Sequence, residues 1–324
     1  MIGVLIQAPD AALQVAQIVQ AEQAGIPAVW AISGAGPDLL PTWAAAAVKT
    51  DRVLLGTSVV RTWTRHPLGF ALEALAIEQL APGRLRLGIG PTGRAQAEQM
   101  YGAHYRRPLT HLREYLTVIR TLLHEGGVDF VGEQVTARAQ IGRPVSTPVL
   151  TAAAGLKAWE LGGEASDGAI SWVAPRRYLL EQALPALRRG AEKAGRPAPP
   201  IVAHVPFLLD PDRRVARDRA REQLAGFARS AHFTATWAAA GYDPTTYSDT
   251  LLDDLLVSGN EEQVAAGLRG WQEAGIDEVL AHPLLDPADR DRSIARAFAA
   301  VARAHAGESH PRRPGGETHG PLDR

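Results

Sequence analysis

The chain has 324 residues, 46% of them apolar, and a formal net charge of −1 at pH 7. That length exceeds an ordinary domain but suits one closed α/β barrel with insertions, and the balanced charge excludes a basic surface for nucleic acid. There is no cysteine, which excludes disulfides, thiolate metal ligands and cysteine nucleophiles.

Short apolar runs at 2–6, 27–31, 53–60, 85–89, 148–152, 168–172, 201–208 and 277–281 are apolar on both faces, as strands buried between a barrel interior and outer helices must be. They predict a (β/α)8 TIM barrel with insertions; an open doubly wound sheet is the alternative. The first run reads as a buried strand rather than a signal segment, because no Lys or Arg precedes it and Asp10 follows early. No run is long enough to span a bilayer. A soluble, cytoplasmic protein with a small-molecule substrate is the expectation.

Between the strands, Asp10 is placed to cap a helix with Val15, Ile18 and Val19 inward and Gly25 at its end. Leu112, Leu116, Ile119 and Leu123 form an amphipathic stripe over 110–124. Asn260 caps a helix carrying Val264, Leu268 and Trp271, and Ile294, Phe298 and Val301 form the last stripe. The barrel is expected over 1–306, interrupted by a hairpin and loop at 125–147 and a lid-like helical insertion at 209–257. The Pro-, Gly- and Arg-rich tail, 307–324, is expected to be disordered.

Chemistry in such a barrel sits where strands end and the following loops begin. After strand three, Arg61, Trp63, Arg65 and His66 are placed to line a pocket. His66 can move a proton near neutral pH or can cap the helix that Pro67 opens. After strand four, Gly88, Gly90 and Gly93 form only a loose glycine pattern, and Pro91 removes a backbone donor. The glycines suit either a planar ligand lying against the strand end or tight barrel packing. After strand five, Ala153, Ala154 and Gly155 precede a helix whose free N–H groups suit a phosphate, or the small residues serve packing. Arg176 or Arg177 can neutralise that phosphate or simply open a solvated helix. His204 and His282 fall in or at the end of strands seven and eight, and His204 reads as a structural, hydrogen-bonded residue. No HExxH, carboxylate cluster or GxSxG elbow is present, which points to an organic cofactor.

Several segments together resemble the luciferase-like monooxygenase superfamily, and most of all its branch that uses the deazaflavin coenzyme F420. They are Ala28-Val29-Trp30, Gly56 to Val60 with Arg65-His66-Pro67, Pro82 to Gly90, and His111 to Tyr115 ahead of Val128-Asp129-Phe130. Pro148 to Gly155 with Gly163 to Gly168, and Gly259 to Val264, complete the set. The resemblance runs from Met1 to about Pro283 and implies a bacterial luciferase-like barrel and a likeness to homodimers. It implies a non-prolyl cis peptide at Ser58–Val59 whose bulge backs the deazaflavin. Cofactor contacts are implied for Ser58, Val59, Arg61, Gly90, Thr92, Ala153, Ala154, Gly155 and Arg176. The catalytic candidates are His66, Ser33 and Trp30, with Tyr101 as a further hydroxyl. Sugar-phosphate dehydrogenases of the family carry an Asp-His pair where this chain has Ile32-Ser33-Gly34, and a glutamate where it has Thr92-Gly93. The resemblance therefore implies hydride transfer to an activated C=C or C=N rather than sugar-phosphate oxidation. A monooxygenase using reduced FMN and a non-catalytic cofactor-binding barrel or partner subunit are the alternatives. No metal is expected.

Overall fold

The computed structural model describes residues 1–34 and 36–307; the tail expected to be disordered lies, from 308 on, outside the described residues. Eight strands form the barrel: β1 (Ile2–Leu5), β2 (Ala28–Ala31), β3 (Leu54–Thr57), β4 (Leu85–Gly90), β5 (Val149–Ala152), β6 (Gly168–Ile170), β7 (Ile201–Leu208) and β8 (Glu278–Pro283). Each pairs in parallel with the next, and β8 pairs with β1, so the sheet closes. Closure excludes the open sheet. The third strand is not continuous over 53–60: it breaks at the cis peptide Ser58–Val59 and resumes as Val60–Arg61 against β4.

Local chemistry sets the helices. The Asp10 carboxylate accepts from the Leu13 amide at 2.9 Å, and Gly25 at φ +82° releases the chain toward β2. Asn260 and Gln263 form a reciprocal capping box on helix 261–273. The stripe Leu112, Leu116, Ile119, Leu123 is buried along helix Pro108–Glu125. Gly127–Val131 and Thr136–Gln140 form an antiparallel hairpin, fastened because Glu114 accepts the amides of Glu133, Gln134 and Val135.

The segment between β7 and β8 holds helices Arg213–Leu224, Ala231–Ala239 and Asp249–Leu255 and a short strand, Val257–Ser258, that pairs with β7. Its buried face, including Leu224, Trp237, Leu251 and Leu255, forms a second apolar cluster with Val173 and Leu208. The insertion thus sits on the C-terminal ends of β6 and β7. Among the described residues, no helix is long and apolar enough to cross a membrane.

Helices Leu156–Ala165 and Leu184–Lys193 pack backbone to backbone at two glycines. A Cβ on Gly163 would fall 1.9 Å from the Leu187 carbonyl oxygen, and one on Gly190 would fall 1.9 Å from that of Glu160. Gly270, in helix 261–273, faces open space. Gly163→Ala should therefore destabilise the fold by about 1–3 kcal/mol through overpacking, whereas Gly270→Ala should be neutral or stabilise by up to ~1 kcal/mol. Urea unfolding of both variants checks the contrast; equal midpoints would refute it.

Candidate functional site

Side chains alternate along each strand, so the interior row of the barrel can be followed upward from its floor. Trp30 fixes that row. It is fully buried and packs in the interior with Leu5, Leu150, Ile170, Val202 and Leu280. Its Nε1 donates to Glu278 Oε1 at 3.1 Å, and the Arg86 guanidinium lies 4.8 Å from its ring centroid while pairing with the other Glu278 oxygen. Burial pushes the Glu278 carboxyl up, against the pull of Arg86. Glu278 opens β8, so Trp30 is bound to the floor of the barrel and not to its mouth. Trp30 is thus part of the packed barrel interior, one layer below Ser58, Gly90 and His282.

Two residues further along these strands, the same parity brings Ser58, Gly90, Ala152, Trp172, His204 and His282 to the upper interior. Ser58 is buried; its amide and hydroxyl both donate to the Ala31 carbonyl, at 2.8 and 3.3 Å. Val59 offers its carbonyl to the Ser33 amide at 3.4 Å, which draws the end of β2 onto the bulge. Ser33 is half-buried beside it. Gly90 is needed for packing: a Cβ there would lie 2.8 Å from both Ala152 Cβ and Val59 Cγ2. Thr92, at φ +30°, turns the chain out of β4, and its carbonyl accepts from the Tyr105 hydroxyl.

Arg61 is buried at the mouth, with 8% of its surface exposed. Its guanidinium donates to the Tyr101 hydroxyl at 3.0 Å and pairs with no carboxylate among the described residues. A buried cation with a single neutral partner is receptive to an anion. Beside it, Thr62 Oγ1, Trp63 Nε1 and His111 Nε2 are buried without hydrogen-bond partners, and the His111 ring stacks on Trp63 at 3.7 Å. The sequence already places Arg61 and Trp63 here; His111 joins them from helix Pro108–Glu125, a separate segment, so motif reading did not bring it to this site.

His66 takes the helix-capping role. Its Nδ1 accepts from the Leu68 amide at 3.2 Å, and its Nε2 lies 3.0 Å from the Thr136 carbonyl. Both nitrogens are engaged, and the residue is exposed at the start of helix Pro67–Leu80. Arg65 is held by Asp38 and Glu73.

On the same side of the barrel, β5 leads into buried Ala153 and Ala154, and Gly155 caps helix Leu156–Ala165 without any side-chain bond to the first-turn amides. The Ala158 amide donates to the Gly155 carbonyl at 2.9 Å, which leaves the Leu156 and Lys157 amides without an acceptor in the helix, and a Cβ at Gly155 would meet nothing within 4 Å. The Ala154 carbonyl is held from below by Trp159 Nε1, at 2.9 Å, and by the Tyr178 hydroxyl. Tyr178 closes the short turn that Arg176 opens, so Arg176 is anchored to the same loop. Its guanidinium is exposed, 5.7 Å from the Trp271 ring centroid, and makes no ion pair among the described residues. No group of acidic residues and histidines able to hold a metal occurs among the described residues.

The family model described as luciferase-like monooxygenase matches residues 3–278, and the chain belongs to that family. It is 32% identical to an F420-dependent glucose-6-phosphate dehydrogenase of Kineococcus radiotolerans, over 82% of this chain and 85% of that protein. It is 25% identical to a 5,10-methylenetetrahydromethanopterin reductase of Methanolobus tindarius, over 88% and 94%. Among solved structures, an F420-dependent secondary alcohol dehydrogenase superposes with a TM-score of 0.79 at 20% identity, covering 94% of this chain and 98% of that one. That likeness speaks for the fold alone.

Burial holds His111 and His282 at about 4, well below an ordinary imidazole. Both folded values lie below the unfolded value of about 6.5. The stability they contribute is complete above that value and is lost as the pH falls toward 4. Unfolding free energy should drop by about 3 kcal/mol for each ring across that window, and His111→Phe should reduce the slope. Urea titrations at several pH values test this; a flat profile between pH 6.5 and 4 would refute it.

Proposed function

We propose that this protein is an F420-dependent oxidoreductase that transfers a hydride between the reduced deazaflavin and an activated C=C or C=N of a small organic substrate. The carrying observation is the uncapped helix N-terminus after β5, open at Gly155, facing a mouth that also buries the unpaired cation Arg61. Relatives named for F420 support the choice of cofactor.

When bound, the deazaflavin supplies a hydride at its C5. The chain's own residues do the rest. The amides of the first turn after Gly155 hold a phosphate, with the helix dipole favouring negative charge there. Arg176, on the turn tied to Ala154, adds a cation at that end, and Arg61 offers a second, buried one. Ser58 and Val59 form the wall against which the ring system rests, with Ser33 beside it. Trp172 and the insertion above β6 and β7 exclude water. By the resemblance, Ile32, Ser33, Thr92 and Gly93 stand where sugar-phosphate dehydrogenases of the family carry acidic and imidazole groups, so those groups are not there to serve as a base.

Binding of purified F420, followed by quenching of tryptophan fluorescence, tests the reading, with FMN in parallel. Saturable F420 binding is expected; binding of FMN alone would replace it with the monooxygenase reading, and binding of neither would end it. Gly155→Asp sharpens the test. An aspartate at that N-cap satisfies the free amides itself and is a good cap, so stability should hold or rise slightly. Its charge competes with the phosphate, so F420 affinity should fall at least tenfold, about 1.4 kcal/mol.

A further inference from the structure

The upper interior holds two histidines in contact, and their polarity is set by the backbone. His204 lies on β7 and His282 on β8, each on the side of its strand that faces inward, directly above the layer containing Val202 and Leu280. His204 is fully buried, and Trp172 stacks on its ring at 3.8 Å. The Val173 amide donates to His204 Nδ1 at 3.2 Å. An amide N–H can only donate, so Nδ1 carries a lone pair and the hydrogen of the neutral ring is on Nε2. That nitrogen is 2.8 Å from His282 Nδ1, which must then accept, leaving the His282 hydrogen on Nε2. Val173 cannot swing away to release this arrangement: it sits at φ +46°, fully buried, with its own carbonyl accepting Trp237 Nε1 at 2.9 Å. Burial pushes both rings well below the ordinary imidazole value, so both are neutral near pH 7. His282 Nε2 has no hydrogen-bond partner among the described residues and is not among the fully enclosed polar atoms, and 8% of the residue's surface remains exposed. The chain of bonds ends in an N–H at the open end of the barrel.

We propose that His282 is the residue that recognises the substrate, its Nε2–H donating to a carbonyl oxygen or imine nitrogen conjugated to the bond being reduced. His204 is a positioning residue that holds this polarity. The assignment rests on the hydride-transfer reading above. In the closed ring of eight strands, β7 and β8 lie on the wall away from β3, whose Ser58–Val59 segment is the proposed backing of the cofactor. A donor placed there faces a substrate held between the two walls. The fixed polarity also selects a direction. A neutral N–H stabilises negative charge on an acceptor atom as hydride arrives at carbon. Removing a proton from an alcohol would need the opposite tautomer, in which His204 Nδ1–H would oppose the Val173 N–H.

Protein labelled with [15N]histidine tests this, with and without F420. Long-range 1H–15N spectra between pH 6 and 8 should show both rings neutral with hydrogen on Nε2. Hydrogen on Nδ1 of His282, or an imidazolium at either ring near pH 7, overturns the proposal. His204→Phe should leave His282 as a mixture of tautomers; if that variant does not fold, the wild-type spectra still decide. In the F420-loaded protein, 2-cyclohexenone should move the His282 Nε2–H resonance downfield, and cyclohexene should not. An enone that leaves it unmoved overturns the substrate assignment. His282→Phe should keep the F420 dissociation constant within about twofold while lowering kcat/KM for the enone at least tenfold; an unchanged kcat/KM also overturns the assignment. Failure of the protein to bind F420 would remove the hydride-transfer reading and with it the substrate assignment, while the tautomer spectra would stand by themselves.

Discussion

The indole of Trp30 occupies the middle of the barrel, and the strands around it are trimmed to admit it. A Cβ at Gly56 would fall 2.3 Å from its ring, and one at Gly3 would fall 3.1 Å from its Nε1. The indole is held in one orientation from below by Glu278, which Arg86 neutralises. A buried carboxylate tolerates that position only while both partners are present. This polar floor and aromatic plug seal the N-terminal end, so that the interior above is open to a ligand only at its C-terminal mouth. The glycines of β4 serve the same geometry: a Cβ at Gly88 would sit 2.0 Å from the Thr57 carbonyl oxygen, so the strands bracketing the bulge can close only without one.

Above the plug, the two walls of the mouth differ in kind. The wall from β2 to β5 presents backbone: the Ser58–Val59 bulge, the Ala153–Gly155 loop and an uncapped helix. The wall from β6 to β8 presents side chains, Trp172 over His204 and His282. The first kind of surface suits a large cofactor with a phosphate; the second suits a small partner whose identity is read by hydrogen bonds. The insertion between β7 and β8 lies on the second wall and also touches the turn that carries Arg176, where Asp254 accepts from the Arg177 amide at 3.0 Å. Phe227 reaches Trp172 at 6.3 Å from that insertion.

Much of the barrel was legible because its strands are apolar on both faces, a pattern that survives without any knowledge of register. The break in the third strand was not legible from period; it came from likeness to a family motif. Trp30 stands near the end of a strand, where barrel chemistry belongs, and nothing local shows that its ring leans down toward a carboxylate 248 positions away. His66 was ambiguous for a physical reason: an imidazole before a helix-opening proline can cap or can catalyse, and only the nearby Thr136 carbonyl decides. His204 was read correctly as buried and bonded, but its partner depends on the register of β7 against β8, which neither strand encodes alone.

Helix Leu156–Ala165 begins without a side chain to satisfy its first amides, although serine, threonine or aspartate at Gly155 would be compatible with the extended backbone found there. A protein selected only for persistence would have filled that vacancy. If the proposed cofactor's phosphate is what fills it, binding adds to the resistance to unfolding by about 2.7 kcal/mol at a hundredfold excess over the dissociation constant. In a cell, the amount of this protein that survives would then follow the abundance of the molecule it holds.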